Sequence, residues 1–507
     1  MATPGETKPS NSSPILRLDQ TNLGVIGTRI PVPTYPRERL APAIVHIGVG
    51  GFHRAHQAVY LDELAERRVT DQWGITGVGL LPQDRRMAEA LLPQQCLYTV
   101  VERGARDPRA RVVGSMTRYL FAPEHPELVL GALEDTRTRL VTLTITEGGY
   151  NFNQVSGEFE AENPAVQHDL RHPSAPTTVF GYLCEALERR RQAGIAPFTV
   201  LSCDNLQSNG EITKKMIASF ARLRDDGLAA WIEDNVAFPN CMVDRITIQT
   251  TDDDRAMVAQ TFGVEDAWPV VAEPFRQWVI EDRFPQGRPP LEEVGAQFVA
   301  DVHPYEMMKI RLLNAGHQAI GYLGYLCGYR YIHEVMGDPL FPAFMKRLMD
   351  EEITPLLPPV PGIDLDQYKH SLIERFANPE IRDQVSRICF DGSARMPKFL
   401  LPSLTEALSS GRPHALLTLA VAGWFRYLSG LDEQGEPILV EDQMRDTLQA
   451  RAREGRENPR PLLRLTSLFG DLGQNEPFVA MLEDALRGLY TEGARATLSG
   501  YLASGIG

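Results

Sequence analysis

Ala43-Ile44-Val45-His46-Ile47-Gly48-Val49-Gly50, with Gly51-Phe52-His53-Arg54 behind it, is the stretch that decides the fold of this chain. A short, near-continuous apolar run that ends in glycines has the pattern of a buried parallel strand. Residues 55–68 follow with helical periodicity, and residues 73–80 (WGITGVGL) give a second strand pattern. Residues 140–146 (LVTLTIT) and 198–203 (FTVLSC) read as further strands, each preceded by a helical stretch. Strand–helix–strand alternation at these lengths predicts a doubly wound α/β domain. Residues 269–284 read as extended structure that closes it.

The glycines between the first strand and the first helix suggest what that domain binds. They permit a tight turn and bring backbone N–H groups up to a pyrophosphate at a helix N-terminus, where the dipole favours an anion. His53 stands where the G-x-G-x-x-G pattern of Rossmann-type domains has its third glycine. A glycine-rich turn made for packing alone is the plainer alternative, and the position after a strand favours the dinucleotide. The candidate cofactor-binding residues are Ile47, Gly48, Gly50, Gly51, Phe52, His53 and Arg54, with Asp84 and Glu147 at the ends of two other strands. An acidic residue beside the adenosine ribose binds its hydroxyls and repels a 2′-phosphate. Asp84 thus favours NAD, while Arg85 and Arg86 leave NADP open.

Beyond about residue 300 the alternation gives way to helical patterns over residues 306–328, 342–352, 368–376, 415–428, 443–452 and 477–490. The predicted organisation is a disordered tail over 1–20, a dinucleotide-binding domain over 21–298 and a mainly helical substrate-binding domain over 299–507. Within the helical half, Lys309-Ile310-Arg311-Leu312-Leu313-Asn314-Ala315-Gly316-His317 sets polar groups into an apolar segment. Read as one α-helix at about 100° per residue, Lys309 lies at 0°, Glu306 near 60°, His317 near 80° and Asn314 near 140°. Burying such groups without partners costs roughly 1–3 kcal/mol each.

Alcohol oxidation needs a base for the hydroxyl proton and donors that hold the oxygen as charge develops on it. Lys309 suits the base, Asn205 and Asn314 the donors, and His317 a neighbouring hydroxyl. Asn205 belongs to Ser202-Cys203-Asp204-Asn205-Leu206 at the C-terminal end of a strand, the edge where open α/β sheets place ligands. Singly, such a lysine more often snorkels, such an asparagine caps a helix and such a histidine is simply hydrogen-bonded. Gathered on one buried face beside a nucleotide-type domain, they read as chemistry.

The chain has 507 residues, a net charge of −15 and 43% hydrophobic content. The acidic balance argues against a nucleic-acid partner, which requires a basic footprint. No apolar run reaches the roughly 20 residues of a membrane span. The N-terminus lacks the order of a signal peptide. Six scattered cysteines without a CxxC pair suit reduced thiols in a cytoplasmic protein, and no spacing marks a metal site. The oligomeric state is not fixed by the sequence, and a monomer is compatible with it.

Ile47-Gly48-Val49-Gly50-Gly51-Phe52-His53-Arg54-Ala55-His56, Cys203-Asp204-Asn205 and Lys309-x4-Asn314-x2-His317 resemble the polyol-specific long-chain dehydrogenases over residues 20–495. The resemblance implies metal-independent, nicotinamide-linked interconversion of D-mannitol and D-fructose. It implies Lys309 as general acid/base, Asn205 and Asn314 as oxyanion hole and His317 as substrate-orienting residue. It further implies Glu306 as a gate for proton exchange, and Asp244, Arg387 and Arg395 as substrate contacts. Relatives carry Lys at position 395, a change of fork geometry at constant charge. Arg387, Arg395 and Lys398 could also hold a carboxylate, so a hexuronate such as D-fructuronate, or D-arabinitol, is the alternative substrate. A dinucleotide-binding sensor without turnover is the rival of another class.

Overall fold

The computed structural model describes residues 14–104, 107–152 and 157–504. The chain divides into two compact units, Met1–Val302 and His303–Gly507. The first is built on five parallel strands, Ile44–Ile47 (β1), Ile75–Gly79 (β2), Met116–Phe121 (β3), Leu140–Leu143 (β4) and Thr199–Ser202 (β5). Their order is β3-β2-β1-β4-β5, so the chain reverses its direction of travel between β1 and β4. Such a reversal opens a crevice at the carboxyl ends of the two strands.

Helices cover both faces of this sheet, which is why β1 is buried at every position and, His46 apart, apolar. Ile44 packs with Val59, Leu64 and Val100 on one side; Val45 and Ile47 pack with Leu143, Phe180 and Phe220 on the other. The helix expected over 55–68 is two helices, Gly51–Ala55 (α1) and Gln57–Glu66 (α2). They part at His56, where φ is −120° and ψ −87°. Val179–Gln192 (α3) and Asn209–Arg224 (α4) lie on the opposite face.

The region 269–284 joins two smaller sheets and not the main one. Val270–Ala272 runs parallel to Tyr98–Glu102, and Cys241–Asp244 (β6) is antiparallel to Gln277–Glu281 (β7). β7 also pairs with Gln297–Val299, so the expected boundary at 298/299 falls inside a strand. At the other end, residues 1–13 of the expected tail lie outside the described residues. From Leu16 onward that expectation is corrected. Leu16–Arg17 pairs with Val264–Glu265, and Leu18 is fully buried, because this apolar segment completes a core with Ile26, Val258 and Val271.

The second unit is helical, as its periodicity predicts. His303–Met308 (α5), Ala315–Leu326 (α6), Leu365–Phe376 (α7), Gly392–Phe399 (α8), Ala415–Leu428 (α9) and Glu476–Thr491 (α10) are its main elements for the site. α9 is buried nearly all round, and its Trp424 and Tyr427 rings lie 6.3 and 5.2 Å from Tyr322 of α6. The single helix expected over residues 306–328 is interrupted. Between α5 and α6 the segment Lys309–Asn314 is a π-helical turn.

Candidate active site

The turn after β1 is fixed by what glycine lacks. Gly48 sits at φ +95°, and a Cβ there would stand 2.1 Å from the Thr144 carbonyl oxygen of β4's continuation. No L side chain fits this position. Gly50 is extended at the start of α1, and a Cβ on it would meet only the Gly48 oxygen, at 3.8 Å. Open space above Gly50, beside the first N–H groups of α1 that lack intrahelical acceptors, is what a pyrophosphate needs. These residues therefore fit a dinucleotide.

His53 takes the place of the third glycine by lying flat. Its ring stacks on His46 of β1 with centroids 3.4 Å apart and planes at 7°, so helix and strand still approach closely. His46 is bonded through Nδ1 to Thr142 Oγ1 at 2.7 Å and through Nε2 to Thr144 Oγ1 at 3.0 Å. Burial lowers the His46 pKa to about 3 and pushes that of His53 well below its ordinary value, so both rings are neutral. Arg54 and Ile47 are buried within the protein. Arg54 braces the turn, with Nε donating to the Gly50 oxygen at 3.3 Å and Nη1 to the Trp268 oxygen.

Asp84 lies beyond β2, with Oδ2 accepting from the Leu81 N–H at 2.9 Å. Arg85, beside it, is paired with Glu124 at 2.7 Å. Glu147 begins the short helix Glu147–Tyr150 behind β4. The ends of β4 and β5 are joined by Asp204, which accepts from the Ile145 and Thr146 N–H groups at 3.0 and 2.8 Å and from the Tyr150 hydroxyl at 2.7 Å. Burial raises its pKa to about 6 against those donors. This knot sets the backbone of exposed Asn205. Asp244 ends β6 and is buried. Its neighbour Arg245 ties that strand to α1, donating to the Ala55 oxygen, to Glu102 at 2.6 Å and to the Glu273 oxygen at 2.9 Å.

In the helical unit the π turn changes the arithmetic of the motif. Hydrogen bonding from i to i+5 widens the turn, and single π turns recur at functional sites. Lys309 and Asn314 are five apart, so the π turn brings them closer around the helix axis than the about 140° of α geometry. Glu306, Lys309 and His317 are buried, and Asn314 Oδ1 and His317 Nε2 have no hydrogen-bond partner. The His317 pKa is pushed well below its ordinary value, first by burial and then by Arg387, Arg375, Lys309 and Arg395.

Arg387 is held by Asp383 through two bonds of 2.6 and 2.5 Å. Arg395 of α8 donates to the Arg387 oxygen at 2.8 Å, and Gln318 of α6 donates to the Ile388 oxygen at 3.1 Å. The central helix thus grips the segment that carries both arginines. Two sets emerge, Gly48, Gly50, Gly51, His53 and Asp84 around the β1 turn, and Lys309, Asn314, His317, Arg387 and Arg395 around the π turn. Sequence reasoning gave no role to His46, Asp204, Arg245, Arg375 and Asp383. Asp204 stood in the strand-end motif and Arg245 beside Asp244, the i,i+4 spacing of Asp383 from Arg387 could have suggested that pair, and even spacing from Ile44 hinted at the face of His46. Among the described residues no group of three or more His, Cys, Asp or Glu side chains could hold a metal ion, and no helix is long and apolar enough to cross a membrane.

Comparison with known proteins agrees with this division. A family model described as the mannitol dehydrogenase Rossmann domain matches residues 42–293, and one described as the mannitol dehydrogenase C-terminal domain matches residues 301–490. A mannitol 2-dehydrogenase of Aspergillus fumigatus is 48% identical over 498 residues, covering 96% of this chain and 99% of its own. A mannitol dehydrogenase of Saccharomyces cerevisiae is 47% identical over 492 residues, covering 96% and 98%. Among solved structures, Pseudomonas fluorescens mannitol 2-dehydrogenase in a ternary complex with NAD and D-mannitol is 44% identical with a TM-score of 0.89, covering 97% of this chain and all (100%) of its own. A substrate-free D-sorbitol dehydrogenase is 36% identical with a TM-score of 0.86, covering 95% and 100%.

Proposed function

The chain belongs to the mannitol dehydrogenase family, and on that premise we propose that it interconverts D-mannitol and D-fructose with NAD(H). The observation that carries this reading is the π turn at Lys309–Asn314, beside which buried polar atoms of Asn314 and His317 have no hydrogen-bond partner. The solved relative that holds NAD and D-mannitol supports the choice of cofactor and substrate. The pairing of Arg85 with Glu124 engages one of the two arginines that could receive a 2′-phosphate, which also favours NAD over NADP.

NAD, when bound against the β1 turn, supplies the acceptor and donor of hydride. The protein's part is the proton and the oxygen. Lys309 takes the C2 hydroxyl proton during oxidation and returns it during reduction. Asn205 and Asn314 donate to the oxygen as it gains negative charge. His317, neutral, orients a neighbouring hydroxyl, and Glu306, one helical turn before Lys309, passes the proton on to water. Asp244, Arg387 and Arg395 hold the remaining hydroxyls. The location is cytoplasmic, in keeping with six free cysteines.

Oxidation of NADH by the purified enzyme tests the reading, with D-fructose and D-fructuronate supplied separately and NADPH in parallel. Turnover of D-fructose with NADH supports it. Turnover of D-fructuronate alone transfers Arg387 and Arg395 to carboxylate recognition and overturns the substrate. A preference for NADPH overturns the role of Asp84.

A further inference from the structure

The imidazole of His317 has one flat neighbour. Phe376, the last residue of α7, lies parallel to it with centroids 3.7 Å apart and planes at 15°. Both rings are buried, and beside them a Cβ on Gly316 would crowd Met345 Cε at 3.0 Å and make ordinary contact with Phe376 Cε2 at 3.9 Å. His317 Nε2 has no hydrogen-bond partner, so no bond at that atom sets where it points. The χ2 torsion of histidine is broad and roughly two-fold, and a ring pressed against its face narrows it.

We propose that Phe376 is a positioning residue, a planar stop that holds the His317 ring in the one orientation that presents Nε2 to a polyol hydroxyl. This rests on the reading of His317 as the substrate-orienting residue. The same helix end delivers Arg375, one of the four cations whose charge acts on the ring, together with Arg387, Lys309 and Arg395. One element thus supplies His317 with both its orientation and part of its field.

The test uses the full chain and two readouts, one of them independent of substrate. Phe376→Leu keeps an apolar side chain and removes the flat face, whereas Phe376→Tyr keeps the face; Phe376→Met replaces the leucine variant if that one loses NADH binding. In histidine-labelled protein, with the His317 ring signal assigned through His317→Ala, the parent and Phe376→Tyr should show one ring environment. Phe376→Leu should show a broadened or doubled one. Kinetically, Phe376→Leu should raise the KM for D-mannitol about tenfold with kcat within about threefold, and add less than about twofold in a His317→Ala background. An unchanged ring signal in Phe376→Leu, or a KM penalty of equal size without His317, overturns the proposal. Absence of D-mannitol turnover in the parent sinks the functional reading instead, and Phe376 is then judged on the ring signal alone.

Discussion

The β1 turn of the α/β unit and the π turn at Lys309–Asn314 in the helical unit each break a regular element to place polar groups, but they do so by opposite means. At the β1 turn, side chains are missing. Gly48 takes a φ of +95° where a Cβ would strike Thr144, and Gly50 leaves a clear approach to the backbone. At the π turn, side chains are present and the backbone adapts to them. One extra residue in the turn brings Lys309 and Asn314 closer around the helix axis without any glycine or proline in Lys309–Asn314. A backbone site suits a ligand of fixed shape and repeated charge, such as a pyrophosphate. A side-chain site suits a reacting centre, where each group needs its own chemistry.

Substitutions should therefore separate the two turns. Lys309→Ala is expected to lower kcat by about 10²–10⁴-fold, the range of a general acid/base, with NADH affinity retained in fluorescence titration. Parallel loss of NADH binding would break the contrast and give Lys309 a structural role. Asn205→Ala should lower kcat by about 10²-fold or more if it donates to the developing oxyanion, and a rate within a few fold of the parent would remove that role. Gly48→Ala should do the reverse of Lys309→Ala. The strain at positive φ and the contact with Thr144 should cost a few kcal/mol of stability in urea unfolding and weaken NADH binding at least tenfold. Normal NADH affinity in that variant would mean that the turn is made for packing.

The smallest expected effect has opposite signs in the two units. Burial lowers the His46 pKa to about 3, so the unfolded chain binds a proton near pH 6.5 that the folded one refuses. Its contribution is present above pH 6.5 and is lost as pH falls toward 3. Between pH 6.5 and 5 the parent should lose about 2 kcal/mol relative to His46→Asn. In the helical unit, buried Glu352 accepts the Leu416 and Leu417 N–H groups at 2.8 Å each, and burial raises its pKa to about 7. Here the folded chain binds the proton first, so its contribution is full below about pH 4.5 and is lost as pH rises through 7. Between pH 7 and 5 the parent should gain about 2 kcal/mol relative to Glu352→Gln. Urea unfolding of each pair at the two pH values checks both signs, and equal slopes for parent and variant would show that the group does not titrate in that window.

The same contrast explains how much was legible beforehand. The strands at the core of the α/β unit were readable because a strand covered on both faces is mainly apolar, as β1, β2, β4 and β5 are; their polar side chains, His46, Thr76, Thr142, Thr199 and Ser202, are all buried. β3 was not, because Thr117 and Arg118 interrupt its pattern where the strand lies nearer the surface. The break at His56 left no trace either, since neither proline nor glycine marks it. In the helical unit the positions of the helices were legible and the phase of the Lys309–His317 motif was not. A π turn has no residue signature, so an arc drawn at α-helical pitch does not hold across Lys309–Asn314.

By itself, then, the order of residues determined the two-part architecture, the glycine turn and the identities of Lys309, Asn314 and His317, because burial and backbone freedom act on neighbours in sequence. Only the tertiary structure decided that His53 replaces a glycine by stacking on His46, that Asp204 knots two strand ends to set Asn205, and that Phe376 lies flat against His317. Those are contacts between side chains distant in sequence or on different elements. Which of several polar groups finds a partner, and which is left to meet a ligand, is settled only when the surrounding elements close upon it and remove the water that would otherwise satisfy them all.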